Sequence, residues 1–547
     1  MTVLPFLLVA AVGGTVSLIV RGSRGWSTAV AVGALLGMAV TAMAMSPTAT
    51  IDIGGAVLAG SAWLRIYAIL AAVVGLGLVA VDVTAFHEPD APGVIVIASG
   101  AAVLAIALQD ARVAVLAATA GGLAGILVAA PLAGAARAAF VGARELRAIA
   151  IAGTLAILAT AWLARPVGEI ATQPAVFGLA YLAFGVAVAV RFGAIPFHQW
   201  AARVADAAPG VALPLLMAWL PAAFAAVALV WIDQSVALIA LPLGTERALI
   251  AAVGTVSIVL GLVAAWIQDD LEHVVGYSIV ADAGVALLGL AVLDPAGWEP
   301  ARTWLLVFVV ARSAFAAWVV AIHGGFGTRR LPELAGWARR APVLAIALVA
   351  ITAASIGWPG LTSWDARSAL IDLALPRPMA SLVTIAPIGA LAIYGRILLV
   401  GFGQPRDVVL EGRSERPRWP TPLPRRPMVG GPGLERGFER VAHGLSGSLD
   451  VLWVLPSAVR ANRMGFAAIA VLLLSGLAFL VSGGGLGVPE AARAVPQAAA
   501  SAGPTGSGSS QPPPSSPGPG SSAGPGSSES PGDGGSPTIQ PSFAPVP

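Results

Sequence analysis

The chain has 547 residues, 57% hydrophobic and only 11% charged, with a mean hydropathy of +0.85. A soluble domain of this composition would expose large apolar patches, so lipid is the expected solvent. Cysteine is absent, which excludes disulfides, thiolate metal sites, iron–sulfur ligation and a cysteine nucleophile. All 31 Lys+Arg positions are arginine, and they fall in short clusters between apolar runs, a pattern of membrane topology rather than of nucleic-acid binding.

Apolar runs long enough to cross about 30 Å of hydrocarbon as helices follow one another almost from the first residue. They lie near 3–20, 27–45, 62–84, 93–108, 112–134, 146–164, 174–192, 210–232, 246–268, 273–293, 301–322, 340–358, 378–402 and 463–483. The predicted fold class is all-α, a polytopic integral membrane protein with about 14 transmembrane helices. The first run has no cleavage-site pattern, so we interpret it as a retained helix.

The arginine clusters indicate the orientation. They follow the first, fifth, eleventh and thirteenth runs: Arg21 and Arg24; Arg137, Arg144 and Arg147; Arg329, Arg330, Arg339 and Arg340; and Arg406 through Arg440. All four loops follow odd-numbered runs and so share one side, which the positive-inside rule makes cytoplasmic. The expected location is the cell membrane, with several passes and both termini extracytoplasmic.

The composition divides the chain into five segments. N-terminal transmembrane helices fill 1–92, a motif-bearing core fills 93–402, and the last transmembrane helix is 463–483. Between them, 403–462 is predicted to be a basic, proline-rich cytoplasmic loop, in which 434–454 could form an amphipathic helix. The tail 484–547 is rich in Gly, Pro and Ser and is predicted to be disordered.

Ionisable residues inside membrane helices are candidates for function because charge there is costly. The first group is RFGAIPFHQW, residues 191–200, where Pro196 breaks the backbone between Arg191 and His198. A broken helix at membrane depth is tolerated where it is buried in protein or lines a watery cavity. Arg191 could instead reach a headgroup, and His198 could instead be a buried, hydrogen-bonded histidine. Because histidine titrates near neutrality, His198 is the more natural proton relay of the two. A further break is expected at Pro209.

The second group is residues 266–284, WIQDDLEHVVGYSIVADAG, with candidates Glu272, His273, Tyr277 and Asp282. Asp282 lies more than two turns inside an apolar helix, and an ion pair with an arginine such as Arg191 or Arg312 is the alternative to a transport role. The third group is GWPGLTSWDARSALID, in which Pro359 interrupts the apolar stretch. Asp365 and Arg367 follow it, so a second discontinuous helix is predicted.

These three groups resemble the antiporter-like membrane subunits of respiratory NADH:quinone oxidoreductase, a family shared with hydrogenase membrane subunits and multisubunit sodium/proton antiporters. RFGAIPFHQW with DAAPGVALPLL is similar to its PFH-W signature, LEHVVGYSIVADAGVALLGLAV to its tyrosine-serine motif and small-residue helix, and GWPGLTSWDARSAL to its broken twelfth helix. The match covers about 93–402, an antiporter-like proton-channel core, and the short PFHQW and GYS versions favour the chain 2 (N-type) subunit.

The sequence departs from that family at its proton-carrying lysines. The family's lysines appear here as Arg191, as Glu272 and, if one residue is deleted, as Arg367. A further lysine position falls on Pro221. The family's buried glutamate in its fifth helix falls near Gly121 and Gly122, where no acid is present. Arginine stays charged, with a pKa above about 12, so it can hold an ion pair but cannot easily relay a proton.

The resemblance implies a membrane-arm subunit that conducts protons or, without the lysines, mainly supports the complex. The alternative is a stand-alone cation/proton antiporter or solute transporter. No cofactor, metal or redox centre of its own is expected. Expected partners are other membrane subunits, lipid, and protons or another monovalent cation. Candidates for the path are Arg191, His198, Glu272, His273, Tyr277, Asp282, Arg312, Asp365 and Arg367. Arg191 is expected to hold Asp282 or Glu272 ionised.

Overall fold

The computed structural model describes residues 1–85, 90–129, 136–162, 174–200, 204, 210–233, 243–386, 388–404 and 463–484. All of these lie in one compact unit, Met1–Ala492. Their regular structure is helical except for one two-stranded hairpin, so the all-α membrane fold class is confirmed. The predicted break at Pro209, the predicted helix at 434–454 and the tail from 485 onward lie outside the described residues.

The first half of the chain forms seven helices and the hairpin. The helices are α1 Leu4–Ile19, α2 Arg24–Met43, α3 Ala62–Ala85, α4 Ala91–Ala107, α5 Ala111–Ala129, α6 Ala136–Trp162 and α7 Pro174–Phe192. The antiparallel hairpin, β1 Thr50–Ile53 and β2 Ala56–Ala59, pairs Thr50 with Ala59. It was not predicted, although Gly54 and Gly55 at its turn have the positive φ angles that favour glycine.

The second half begins with a 3₁₀ turn, Phe197–Trp200, and a π-helical turn, Leu215–Trp219. The helices that follow are α8 Leu220–Trp231, α9 Gly244–Ile267, α10 Leu271–Ala291, α11 Trp298–Phe326, α12 Trp337–Arg340, α13 Pro342–Ile356, α14 Thr362–Ala374, α15 Arg377–Ile385, α16 Ile388–Phe402 and α17 Arg463–Ser482. Short 3₁₀ turns occupy Pro295–Gly297 and Leu331–Leu334.

The predicted runs differ from the helices at several points, and the thirteenth run, 378–402, forms two helices, α15 and α16. Helix α6 begins ten residues before the predicted 146, and α14 is an additional helix between the twelfth and thirteenth runs. Among the described residues, nine helices are long and apolar enough to span a membrane, and five more apolar helices are shorter. The chain is therefore a multi-pass membrane protein, while the count of about fourteen spans stays a prediction.

Contacts between loops identify the two ends of the helix bundle. At one end, the backbone N–H of Gln109 donates to Val57 of the hairpin, and the Trp63 indole donates to the Arg302 carbonyl. At the other end, Arg21 pairs with Asp90 at 3.2 Å, and the C-terminal ends of α3 and α11 meet where Gly324 lies against Ala85. The arginines after α1 and those after α11 therefore lie at the same end.

Helices α9 and α10 approach each other closely because small residues face each other along their contact. A Cβ atom on Gly284 would lie 2.4 Å from the Gly254 carbonyl oxygen and 2.9 Å from the Ile258 nitrogen. Further along, a Cβ on Gly261 would lie 2.7 Å from the Ala281 nitrogen. These neighbours are backbone atoms, which cannot move aside as a flexible side chain can.

We therefore expect Gly284→Ala to destabilise the fold by about 1–3 kcal/mol, because the added methyl group must separate α9 from α10. Unfolding by SDS in mixed micelles measures the effect. Gly33→Ala is the matched control, since a Cβ on Gly33 meets nothing within 4 Å and alanine favours a helix. Equal behaviour of the two variants would contradict the close contact.

Candidate functional site

A buried ion pair joins the middle of α10 to the middle of α11. The Arg312 Nε lies 2.6 Å from the Asp282 Oδ2, and the two side chains are 3% and 14% exposed. Arg312 Nη1 also donates to the Ser278 hydroxyl at 2.7 Å and to the Tyr394 hydroxyl at 3.0 Å. One guanidinium thus gathers a carboxylate and two hydroxyls from α10 and α16, and its planar fork suits such multiple donation.

Arg367 lies beside this network, on α14 after the break between α13 and α14. It is 1% exposed, its Nη1 donates to the carbonyl of Ile356 at the end of α13, and its guanidinium stacks 5.0 Å from the Trp364 ring centre. Gly357 and Gly360, on either side of Pro359, have positive φ angles that let the chain turn there. The predicted break at Pro359 therefore coincides with the gap between these helices, and Arg367 satisfies a carbonyl that the gap exposes.

A small cavity of about 30 Å³ lies between α9, α10, α11, α13, α14 and α16. Its polar lining consists of Ser278, Asp282, Trp304, Arg312, Ser355, Arg367 and Tyr394. Since about 10–15 Å³ is enough for one water molecule, the cavity can hold water in contact with the buried charges. Three predicted residues, Asp282, Arg312 and Arg367, are brought together here.

Arg191 lies at a second buried position, near the end of α7. It is 2% exposed, and Glu145 on α6, also 2% exposed, is close enough for the two charges to interact. A Cβ on Gly122 of α5 would lie 3.1 Å from the Arg191 Nη2 and 3.3 Å from Ile149, one helical turn after Glu145. The guanidinium therefore occupies the space that the missing Gly122 side chain leaves.

The Arg191 guanidinium makes no direct hydrogen bond to Glu145. Within the described part of the chain, the three guanidinium nitrogens and the Glu145 Oε1 are buried without a hydrogen-bond partner. Opposite charges with unused donors and acceptors are the arrangement that a bridging water satisfies.

Sequence reasoning missed Glu145. It stands in the basic stretch GARELR, which looked like the end of a cytoplasmic loop because the sixth apolar run begins at 146. The helix instead begins at Ala136 and carries Glu145 into the bundle. The sequence feature that could have identified Glu145 is its position as a single acid between Arg144 and Arg147.

Glu272 lies at the end of the bundle where α10 begins. Arg329 pairs with both Glu272 and Asp270, and the backbones of Asp270 and Arg330 form an isolated β-bridge. Asp270 also caps α10 by accepting from the Glu272 N–H at 3.0 Å. This cluster ties the start of α10 to the segment after α11 rather than to Arg191.

The remaining candidates are half-buried or exposed. His198, in the 3₁₀ turn after α7, is half-buried, and so are His273 and Tyr277 on α10. Asp365, in the first turn of α14, is exposed. The break at Pro196 directly precedes that turn, where the Ile195 N–H donates to the Ser257 hydroxyl of α9 at 3.0 Å.

The expected pairing of Arg191 with Asp282 or Glu272 is not found. Asp282 pairs with Arg312, which is one of the two alternatives considered, and Glu272 pairs with Arg329. Arg191 has Glu145 as its neighbour instead. The described residues contain no group of three His, Asp or Glu side chains placed to hold a metal ion.

A known protein family matches the part of the chain that contains most of these buried charged residues. Residues 149–391, which hold Arg191, Ser278, Asp282, Arg312 and Arg367, match the family described as NADH:quinone oxidoreductase/Mrp antiporter, TM, whereas Tyr394 of the network lies just after this segment. The antiporter-like resemblance is confirmed. Glu145 and Gly122 lie before the matched segment.

Curated relatives include NADH-quinone oxidoreductase subunit N 2 of Syntrophobacter fumaroxidans, 30% identical over 268 residues, which are 48% of this chain and 54% of that protein. Another is NADH-quinone oxidoreductase subunit N of Salinibacter ruber, 31% identical over 264 residues, 47% of this chain and 51% of that one. The chain thus spans about half the length of the curated relatives it matches.

Solved structures share the fold over a longer stretch. A chain of the Mrp complex from Dietzia sp. has a TM-score of 0.67 at 16% identity, covering 88% of this chain and 94% of its own. A chain of respiratory complex I from Thermus thermophilus has a TM-score of 0.61 at 17% identity, covering 88% and 98%. Fold similarity therefore extends well beyond the segment in which sequence similarity is detected.

Proposed function

We propose that this chain is an antiporter-like membrane subunit of a respiratory NADH:quinone oxidoreductase-type complex and that it passes protons through its buried polar network. The observation that carries the proposal is the Asp282–Arg312 pair with the Ser278 and Tyr394 hydroxyls, buried where two apolar helices cross. Ionisable groups inside membrane helices are costly, so a network of this size favours a role in ion movement over simple packing.

The chemistry assigns different roles to the members of the network. Arg312 cannot lose its proton under ordinary conditions, so it fixes the local field and orients its neighbours. Asp282 can take up and release a proton, and the hydroxyls of Ser278 and Tyr394 can each accept and donate a hydrogen bond. Asp282 also lines the cavity, which has room for water. Asp282 is therefore the titrating group of the proposed route.

The other titratable candidates belong to the ends of the route. Glu272 lies in the cluster at the end of α10, and His198 follows the break after Arg191. Both would exchange protons with groups nearer the membrane surface, and the imidazole of His198 can both accept and donate a proton. Glu145, beside Arg191, is another buried acid that the route can use.

Proton movement into inverted vesicles tests the route. We expect Asp282→Asn to abolish proton movement and Asp282→Glu to retain it, because only Asp282→Asn removes the central carboxylate. His198→Ala should lower proton movement, because it removes a group at one end of the route. Native gels establish whether each variant assembles. If Asp282→Asn alone does not assemble, the double variant Asp282→Asn/Arg312→Met is measured in its place, because it removes both buried charges. Wild-type rates in both Asp282→Asn and His198→Ala would contradict proton relay and leave a structural role in the complex.

The partners are proposed to be the other membrane subunits of such a complex. The Dietzia and Thermus structures that share the fold are of multisubunit membrane complexes. Co-purification of sibling membrane subunits would support the proposal. Sodium/proton exchange by the isolated chain in proteoliposomes would instead favour the stand-alone antiporter.

The proposed location is the cell membrane, with the arginine-rich loops cytoplasmic and the termini outside. The absence of native cysteine makes single-cysteine labelling clean. Thr48, beside the hairpin, and Thr328, after α11, belong to opposite ends of the bundle. We expect an impermeant thiol reagent to label Thr48→Cys but not Thr328→Cys in intact cells, and both after permeabilisation. The reverse pattern would invert the topology.

A further inference from the structure

The cavity beside the ion pair has an unequal number of positive and negative groups. Its charged lining, within the described residues, consists of two guanidiniums, those of Arg312 and Arg367, and one carboxylate, that of Asp282. Arg312 contacts the carboxylate directly, at 2.6 Å. The lining therefore carries one positive charge in excess.

The excess charge belongs to Arg367, whose donors are incompletely used. Its Nη1 donates to a carbonyl, but its Nε and Nη2 are buried and have no hydrogen-bond partner within the described part of the chain. Ser355, which lines the same cavity one residue before the end of α13, also has a buried hydroxyl without a partner there. Asp282 acts on Arg367 only at longer range, and Arg312 holds its Oδ2.

We propose that this cavity binds a small monovalent inorganic anion, held by the Arg367 guanidinium and the Ser355 hydroxyl. Such an anion would neutralise the excess charge and accept hydrogen bonds from donors that are otherwise unused. The cavity volume, about 30 Å³, suits an ion of the size of chloride and is too small for a phospholipid headgroup. The site goes beyond proton conduction and does not depend on it, because the charge imbalance is a property of the lining itself.

Chloride titration of the purified wild-type chain, with the subunits that accompany it, tests the site. Gluconate replaces chloride at constant ionic strength, and tryptophan fluorescence follows thermal unfolding. Anion binding to the folded state raises the melting temperature in a saturable way. We expect saturation with chloride and with bromide, and no such response to gluconate. A response that is absent, or linear in salt, would overturn the proposal.

Three variants locate the effect. Arg367→Gln should abolish the chloride response, whereas Arg112→Gln, which changes an exposed arginine, should retain it. Asp282→Asn should strengthen chloride binding by about tenfold, because the lining then carries two positive charges in excess. If Arg367→Gln does not fold, chloride binding to Asp282→Asn is the deciding measurement. Unchanged or weaker chloride binding in Asp282→Asn, or an unchanged response in Arg367→Gln, would overturn the proposal, whatever the outcome of the proton measurements.

Discussion

Replacing Glu145 by glutamine is expected to destabilise the protein by about 3–5 kcal/mol, because it leaves Arg191 as a buried charge without its counter-ion. Glutamine preserves the size of the side chain, so the effect isolates the charge. Arg191 is 2% exposed and lies against Gly122 on one side, so it cannot turn to water without rearranging α5 and α6. Unfolding by SDS in mixed micelles gives the difference in free energy.

The matched control is Glu333→Gln, the same chemical change at a half-exposed carboxylate paired with Arg330. Surface pairs of this kind contribute about 0–1 kcal/mol, so little change is expected. The Glu145→Gln/Arg191→Met double variant should recover most of the stability lost in Glu145→Gln, since it removes both buried charges. If Glu145→Gln is as mild as Glu333→Gln, Glu145 is not the counter-ion of Arg191.

The position of Glu145 explains one way in which this chain differs from the antiporter-like family that it resembles. In that family an acid is expected on the fifth helix, and here Gly121 and Gly122 stand there. The Arg191 guanidinium reaches the space beside Gly122, and a carboxylate from α6 lies nearby. An arginine side chain is larger than that of lysine, and Gly122 on α5 leaves room for it. The acid that interacts with it is then on α6, as Glu145, rather than on α5.

The sequence predicted the positions of the helices better than it predicted which charged side chains pair between them. Hydropathy located the apolar helices because lipid imposes a length of about 20 residues on each span. It placed the start of α6 ten residues late, since the first residues of that helix include Arg137 and Arg144. It also missed the hairpin, which is only four residues in each strand and lies outside any apolar run.

The pairing of charges could not be read from the sequence because it depends on contacts between distant segments. Asp282 had two plausible arginine partners, and only the crossing of α10 with α11 selects Arg312 over Arg191. Side chains from six helices line the cavity, and the hydrogen bonding of Arg367 depends on where α13 ends. Spacing along the chain marked Pro359 as a break but could not show which carbonyl the break exposes.

Replacing Arg312 by methionine is expected to have an effect as large as the loss of Glu145, about 3–5 kcal/mol, because the Asp282 carboxylate would then be buried without its direct partner. The change also removes the donor that Ser278 and Tyr394 share. Arg112→Met, which breaks an ion pair whose side chains are 55% and 40% exposed, should cost no more than about 1 kcal/mol.

A double-mutant cycle separates the ion pair from the packing around it. Asp282→Asn/Arg312→Met should be more stable than Arg312→Met alone, because the second change removes the stranded carboxylate. Methionine fills a volume similar to the aliphatic part of arginine, so a cavity makes only a small contribution. An additive cycle would mean that the two side chains do not interact, and the proposed route would lose its central pair.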